Sequence, residues 1–218
     1  MMAREARFLL HYSPRSRAER ALWMLEEARA DSAIVLHDLQ RGTQKEPAFL
    51  ALNPLGKLPV LEDRGPDGSW RGVAVAVAVA ESAAILAYLA DTLPEAGLAP
   101  AIGTPERAAY ARWMAYCPGV LEPAFSDAAF PRTAEAPRSA LGWPPFDEAL
   151  APVEAALATG PWLLGARFSA ADVLIGSLLH WLRAWGRLRA GPHVERYLGA
   201  LEGRDALARA RARRQAAQ

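Results

Sequence analysis

The stretch Asn53-Pro54-Leu55-Gly56-Lys57-Leu58-Pro59-Val60-Leu61-Glu62-Asp63 constrains this chain more than any other. Pro54 and Gly56 punctuate a tight turn. Pro59 falls inside an apolar run, where a central strand would need a backbone N–H that proline lacks. It must therefore open a strand or sit at a turn. A cis Leu58–Pro59 bond, available to X-Pro peptides at small cost, would turn the Leu58 N–H and C=O outward. An extended peptide can pair with such a residue as an added strand. The alternative is a loop proline that merely starts an edge strand.

A second stretch narrows the choice. Glu81-Ser82-Ala83-Ala84-Ile85-Leu86-Ala87-Tyr88-Leu89 follows a Val/Ala tract of strand character. Ser82 suits an N-cap, and Ile85, Leu86 and Leu89 form an apolar helical face. A helix beginning there exposes free N–H groups and a positive end next to the Glu81 carboxylate. The helix end suits a carboxylate and Glu81 suits an ammonium, so the pair can clamp an amino-acid head group. Together with an open strand edge, this pattern resembles the glutathione site of the soluble glutathione transferase family, bacterial-type.

Composition sets the remaining bounds. The chain has 218 residues, is 52% hydrophobic and carries a formal net charge of +1, enough for one large or two small domains. The charge argues against nucleic acid as a partner. No apolar run reaches the ~20 residues of a membrane helix, so no membrane partner is expected. The start of the chain lacks a signal-peptide pattern, and the expected location is cytoplasmic. Cys117 is the single cysteine, which excludes an internal disulfide and a C-x-x-C redox pair. Lysine occurs only at Lys45 and Lys57, both in the proposed binding region. His11, His37, His180 and His193 show no metal-ligand spacing, so no metal is expected.

Read in order, Ala6–Tyr12 predicts a strand and Ser13–Ser16 a turn. Ser16 with Glu19 predicts a capping box opening a helix to about Ala30. A strand at Ile34–Leu36, a weak helix at Glu46–Leu52, a strand from Pro59, a Gly65–Gly68 turn, a strand in Val73–Val79 and a helix from Ser82 to about Leu93 follow. Strict Val/Ala alternation at 73–80 leaves strand register weakly specified, since a two-residue slip preserves the pattern. This order predicts an α/β unit, partly parallel. Helical periodicity takes over after a Pro/Gly/Ala-rich linker. Thr104–Pro118 predicts a helix, with Pro118-Gly119 bending or breaking it. Residues 131–145 read as a loop and Phe146–Leu157 as a helix. Ser169 and Asp172 predict a capping box on a helix that is apolar nearly all round, hence buried at the centre of a bundle. A last helix is predicted from about His193 into the arginine-rich tail, with the arginines on a solvated face.

The resemblance covers nearly the whole chain, and what it implies is specific. It implies a thioredoxin-like domain at 1–93, a linker at 94–103 and an all-helical domain at 104–218. The 64–72 loop is longer than the family leads one to expect. The implied activity is transfer of glutathione, bound as co-substrate, to a small electrophile of hydrophobic character. The alternatives are a non-catalytic glutathione-binding scaffold and a glutathione-dependent isomerase or reductase. Leu58, beside Pro59, would pair with the middle residue of the tripeptide. Glu81 and Ser82 would hold its γ-glutamyl head, and Lys57 with Lys45 or Gln44 would face its terminal carboxylate. A hydroxyl after the first strand would stabilise the thiolate. The family's serine type points to Ser16, its tyrosine type to Tyr12, and Ser13 stands third. Ser16 is preferred because a helix start lies beside it, although capping alone also explains a serine there. Arg17 could add positive potential. Tyr12, Trp113, Met114 and Phe125 are candidates to line the electrophile pocket. The family also implies a homodimer.

Overall fold

The computed structural model describes residues 6–70, 73, 75–134 and 136–216. They form two contact units, one up to Ala96 joined by Asp205 onward, the other Gly97–Arg204. The boundary at Ala96/Gly97 falls inside the expected linker.

The first unit holds strands β1 (Phe8–Tyr12), β2 (Ser32–Leu36), β3 (Val60–Asp63) and β4 (Val77–Ala80) in the order β2-β1-β3-β4. β1 and β2 are parallel, joined by helix α1 (Ala18–Glu27), while β3 runs antiparallel to β1 and β4 to β3. Helix α2 (Pro47–Leu52) precedes β3, and α3 (Ser82–Thr92) follows β4. Alternation along β1 assigns its two faces. Phe8, Leu10 and Tyr12 are buried on the side of α1. His11 points the other way and meets the Phe49 ring of α2. Asp63 fastens the end of β3, accepting two hydrogen bonds from Arg7, one from the Tyr88 hydroxyl and one from the Gly65 N–H.

The Val/Ala tract forms a shorter strand than its pattern suggests. Among the described residues of the tract, Val77–Ala80 forms the strand, on the outer edge of the sheet, and Val73, Val75 and Val77 are exposed. Trp70 and Val73 form an isolated bridge. Ala74, and Arg71 with Gly72 of the preceding loop, lie outside the described residues.

The second unit contains α4 (Pro105–Tyr116), α5 (Glu122–Ala129), α6 (Phe146–Leu157), α7 (Ala170–Ala184) and α8 (Pro192–Glu202). Between α4 and α5 the helical backbone does not stop at Pro118-Gly119. Cys117–Leu121 forms a π turn. Pro118 has no N–H to donate, and the wider turn accommodates it. α7 is buried along most of its length and starts with the expected capping box. The Asp172 carboxylate accepts from the Ser169 N–H (2.9 Å), the Ser169 hydroxyl (3.1 Å) and the Leu163 N–H (2.9 Å).

The tail departs from the sequence reading. Gly203 ends α8, and a separate helix α9 (Asp205–Ala216) packs against α1. This helix therefore belongs with the α/β unit rather than with residues 104–204. Its arginines are not simply solvated: Arg209 and Arg213 both pair with Glu26 at 2.8 Å, and Arg214 reaches Glu19 at 3.4 Å. Burial would raise the Glu26 pKa, but the hydrogen bonds and charges of Arg213 and Arg209 outweigh it and hold that carboxyl below its ordinary value.

Candidate functional site

The loop before β3 is built around Asn53. Its buried side chain donates to the Lys57 carbonyl oxygen (2.9 Å) and accepts from the Leu55 N–H (3.2 Å). Gly56 adopts φ +58, and a Cβ there would fall 2.9 Å from the Gln44 carbonyl oxygen. Glycine is thus required by conformation and by space. The Leu58–Pro59 bond is cis. Pro59 is buried, Leu58 half-buried and Lys57 exposed. Among the described residues, no hydrogen bond is seen to the Leu58 N–H or C=O. Lys45 stands against this loop, its Nζ donating to the Leu55 carbonyl oxygen at 2.8 Å. Gln44 precedes it, and the Gln44 Oε1 is buried without a partner among the described residues.

Glu81 lies between β4 and α3 with φ +68 and ψ +123. For a non-glycine residue this is a strained region, costing on the order of 1–3 kcal/mol. Its side chain is exposed and makes no capping bond, while its carbonyl oxygen accepts from the Ile85 N–H at 2.9 Å. Ser82, expected as the cap, is instead the first residue of α3 and is buried. The free N–H groups of the α3 start therefore follow directly on Glu81 in the chain.

Three hydroxyls follow β1 as anticipated, in different surroundings. Ser16 is half-buried, accepts from the Ala18 N–H (3.1 Å) and donates to the Ser13 carbonyl oxygen (2.7 Å). Its oxygen takes the first N–H of α1, but the cap position itself falls one residue later, at Arg17, and Glu19 does not complete the expected box. The Glu19 carboxylate reaches the Arg15 N–H at 2.8 Å instead, because Arg15 turns with φ +57. Ser13 is buried and Arg17 exposed. Tyr12 is fully buried on the α1 side of the sheet, and its hydroxyl has no hydrogen-bond partner among the described residues. Burial pushes its phenol well above the ordinary tyrosine range, with Glu19 reinforcing and Arg214 opposing the shift. Its expected place in the lining of an electrophile pocket does not fit this burial.

Trp113, Met114 and Phe125 are also buried, in the helical unit. A cavity of about 750 Å³ in that unit is lined by other residues, among them Ala128, Arg132, Trp143 and Phe146. Cys117 is buried, as a small apolar core residue would be.

A set of side chains not singled out in the sequence lies behind the loop. His11 and His37 face each other at 2.9 Å, and His11 Nε2 meets Glu62 Oε1 at 2.8 Å. Burial and the neighbouring His11 hold His37 below the ordinary imidazole range, while Glu46 and Thr43 act in the opposite sense. Parallel pairing of β1 with β2 brings these distant histidines together, since Tyr12 lies opposite Leu36.

Comparison with known proteins gives the family of the chain. Residues 14–92 match the family described as "Glutathione S-transferase, N-terminal domain", and residues 108–200 match "Glutathione S-transferase, C-terminal domain". The chain is 32% identical over 188 residues to the disulfide-bond oxidoreductase YfcG of Escherichia coli K12, covering 83% of this chain and 81% of that protein. A solved glutathione transferase from Methylococcus capsulatus is similar over 95% of this chain and 98% of its own, at 31% identity and a TM-score of 0.75. A sphingomonad glutathione S-transferase, solved in complex with glutathione, is 28% identical at a TM-score of 0.73, covering 95% of this chain and 98% of that one. The chain belongs to the glutathione S-transferase family.

Proposed function

We propose that the α/β unit binds glutathione and stabilises its thiolate for attack on a small electrophile. The observation that carries this reading is Glu81. Its backbone is held at positive φ, and its carboxylate stays exposed beside a helix N-terminus. Such strain without an internal use of the side chain points to a ligand. The γ-glutamyl head offers the two charges that fit, its ammonium to Glu81 and its carboxylate to the N–H groups that follow. The cysteinyl residue then pairs with the Leu58 backbone, and the terminal carboxylate meets Lys57, Lys45 and Gln44.

A thiol with a pKa of about 8.5 is only roughly 3% ionised at pH 7. Lowering that value by one unit would raise the thiolate to roughly a quarter. Ser16 suits this role better than Tyr12, whose hydroxyl is sealed in the core. The Ser16 hydroxyl would turn from the Ser13 carbonyl to the sulfur, while the Ala18 N–H still donates to its oxygen. In conjugation the thiolate forms a bond to the electrophilic carbon and the leaving group departs with its electron pair. Calorimetric titration of glutathione, followed by a chloronitrobenzene conjugation assay, tests the reading. Heat of binding without turnover would favour a glutathione-binding scaffold, and no heat at millimolar glutathione would leave only a protein that has kept the fold without the ligand.

A second reading has specific support, the relative named as a disulfide-bond oxidoreductase. Here the bound glutathione thiolate would attack a disulfide, giving a mixed disulfide and releasing a thiolate. Cys117 is buried, so the sulfur nucleophile would again be glutathione. Glutathione-dependent reduction of a small disulfide such as hydroxyethyl disulfide separates the two activities.

We also propose a homodimer and a cytoplasmic location. Exposed Leu36, Leu55, Val73, Val75 and Val77 supply apolar surface for a second copy. No helix among the described residues is long and apolar enough to cross a membrane. A monomer mass in sedimentation at micromolar concentration would contradict the dimer.

A further inference from the structure

We propose that Glu62, His11, His37 and Thr43 form a polarised hydrogen-bonded chain that positions the Gln44–Lys45 segment and so sets affinity for glutathione; this rests on the glutathione reading above. The central link is buried and the outer two are part-buried. Glu62 Oε1 to His11 Nε2 is 2.8 Å, His11 Nδ1 to His37 Nε2 is 2.9 Å, and His37 Nδ1 to Thr43 Oγ1 is 3.3 Å. Both imidazoles are buried, and the Phe49 ring packs on each at 5.2 and 4.7 Å between centroids.

Donor and acceptor counting gives the chain a direction. An ionised Glu62 only accepts, so His11 carries hydrogen on Nε2. Neutral His11 then accepts on Nδ1, and His37 must carry its hydrogen on Nε2. His37 Nδ1 is left to accept from the Thr43 hydroxyl, whose oxygen meanwhile accepts from the Asp38 N–H at 3.0 Å. One added proton reverses the two inner links while His11 Nε2 still donates to Glu62: His11 Nδ1 donates to His37 Nε2, His37 Nδ1 donates to Thr43 Oγ1, and the Thr43 hydroxyl turns to the Asp38 carbonyl oxygen at 3.4 Å. A second proton puts hydrogens on both facing nitrogens and breaks the central bond.

The surrounding elements decide which states form. Glu62 from β3 and Glu46 at the start of α2 favour a cation here, and His11 and His37 oppose one another. The Asp38 side chain is occupied by the Gln40 and Arg41 N–H groups, and the Lys45 ammonium is turned to Leu55. Thr43 opens the short turn Thr43–Lys45, which rests directly on Leu55 and Gly56. Loosening the histidine pair therefore loosens the residues proposed to face the terminal carboxylate of glutathione.

The test uses His37→Phe and His37→Gln, with glutathione Kd by calorimetry and steady-state KM and kcat between pH 5.5 and 8. At pH 8, His37→Phe should weaken Kd and raise KM about five- to tenfold with kcat unchanged, the worth of one hydrogen bond. His37→Gln keeps a donor toward His11, so it should stay within about twofold of wild type at pH 8. It should lose the additional weakening that wild type shows toward pH 5.5. Titration of glutathione itself is common to all three proteins and cancels. Superimposable Kd profiles, or a loss confined to kcat, would overturn the chain while leaving glutathione binding intact. Were wild type to bind no glutathione, the earlier reading would fall, and amide exchange would then judge the chain. Exchange at Gly42–Glu46 about tenfold faster in His37→Phe supports it, and unchanged protection overturns it. His37→Gln carries the test alone if His37→Phe does not fold.

Discussion

The Ser16 hydroxyl donates to the Ser13 carbonyl oxygen at 2.7 Å while accepting from the Ala18 N–H at the start of α1. Its proton is therefore within reach of a competing anion, and its oxygen is held in place by the helix. Ser16→Ala should raise the pKa of bound glutathione by about one unit, equivalent to roughly 1.4 kcal/mol. Thiolate absorbance of the complex against pH measures this directly. An unchanged pKa would reduce Ser16 to a cap and move attention to Ser13.

Tyr12→Phe should leave that pKa in place. Its hydroxyl is buried on the α1 side without a partner among the described residues. Removing a buried, unpaired hydroxyl should raise unfolding free energy by about 1 kcal/mol. A large rise in thiol pKa, together with lost stability, would return the chemistry to Tyr12.

Asp172 ties the start of α7 to Leu163, and burial raises its pKa to about 6 against the hydrogen bonds that pull it down. A carboxyl raised in the folded state favours the protonated native form. The stability linked to that proton is full below the unfolded pKa near 4 and is lost as pH rises through about 6, while the hydrogen bonds to the carboxyl remain. Denaturant unfolding should show wild type losing on the order of 3 kcal/mol more than Asp172→Ala between pH 4 and 7. Asp172→Ala itself should be destabilised by about 3 kcal/mol or more at neutral pH, because three donors lose their acceptor. Parallel pH profiles would contradict the linkage.

Glu26 works in the opposite direction. Its folded-state pKa is lowered, chiefly by Arg213 and Arg209 acting against burial, so its stabilisation is present above the unfolded value and lost as pH falls through the folded one. Glu26→Gln should free α9, speeding amide exchange over residues 205–216 about tenfold at pH 7. The difference from wild type should shrink as pH falls below the ordinary carboxylate range, where Glu26 takes up its proton in the folded protein. Equal exchange at pH 7 would show that the ion pairs do not hold the helix.

Much of this was legible in the sequence because it is local. Proline and glycine mark the Asn53–Asp63 loop, Glu81-Ser82 marks the strand-to-helix junction, and Ser169 with Asp172 marks α7. The burial of Tyr12 was also within reach, since it shares strand parity with the apolar Phe8 and Leu10. The Gly203 break before Asp205 could have separated α8 from α9, but the partner of α9 is a carboxylate nearly two hundred residues away. Long-range pairing also hid the His11–His37 contact, which depends on the parallel register of β1 with β2. The positive φ of Glu81 could not be read from residue type, because the residue there is not glycine.

Titration of glutathione into wild type and Glu81→Ala, by calorimetry at pH 7, bears most directly on the central claim. Wild type should bind at submillimolar concentration. Glu81→Ala should bind about ten- to hundredfold more weakly, the loss of a charge-assisted hydrogen bond, with much less change in fold stability. Equal affinity in the two proteins, or no heat from wild type at millimolar glutathione, would contradict the account.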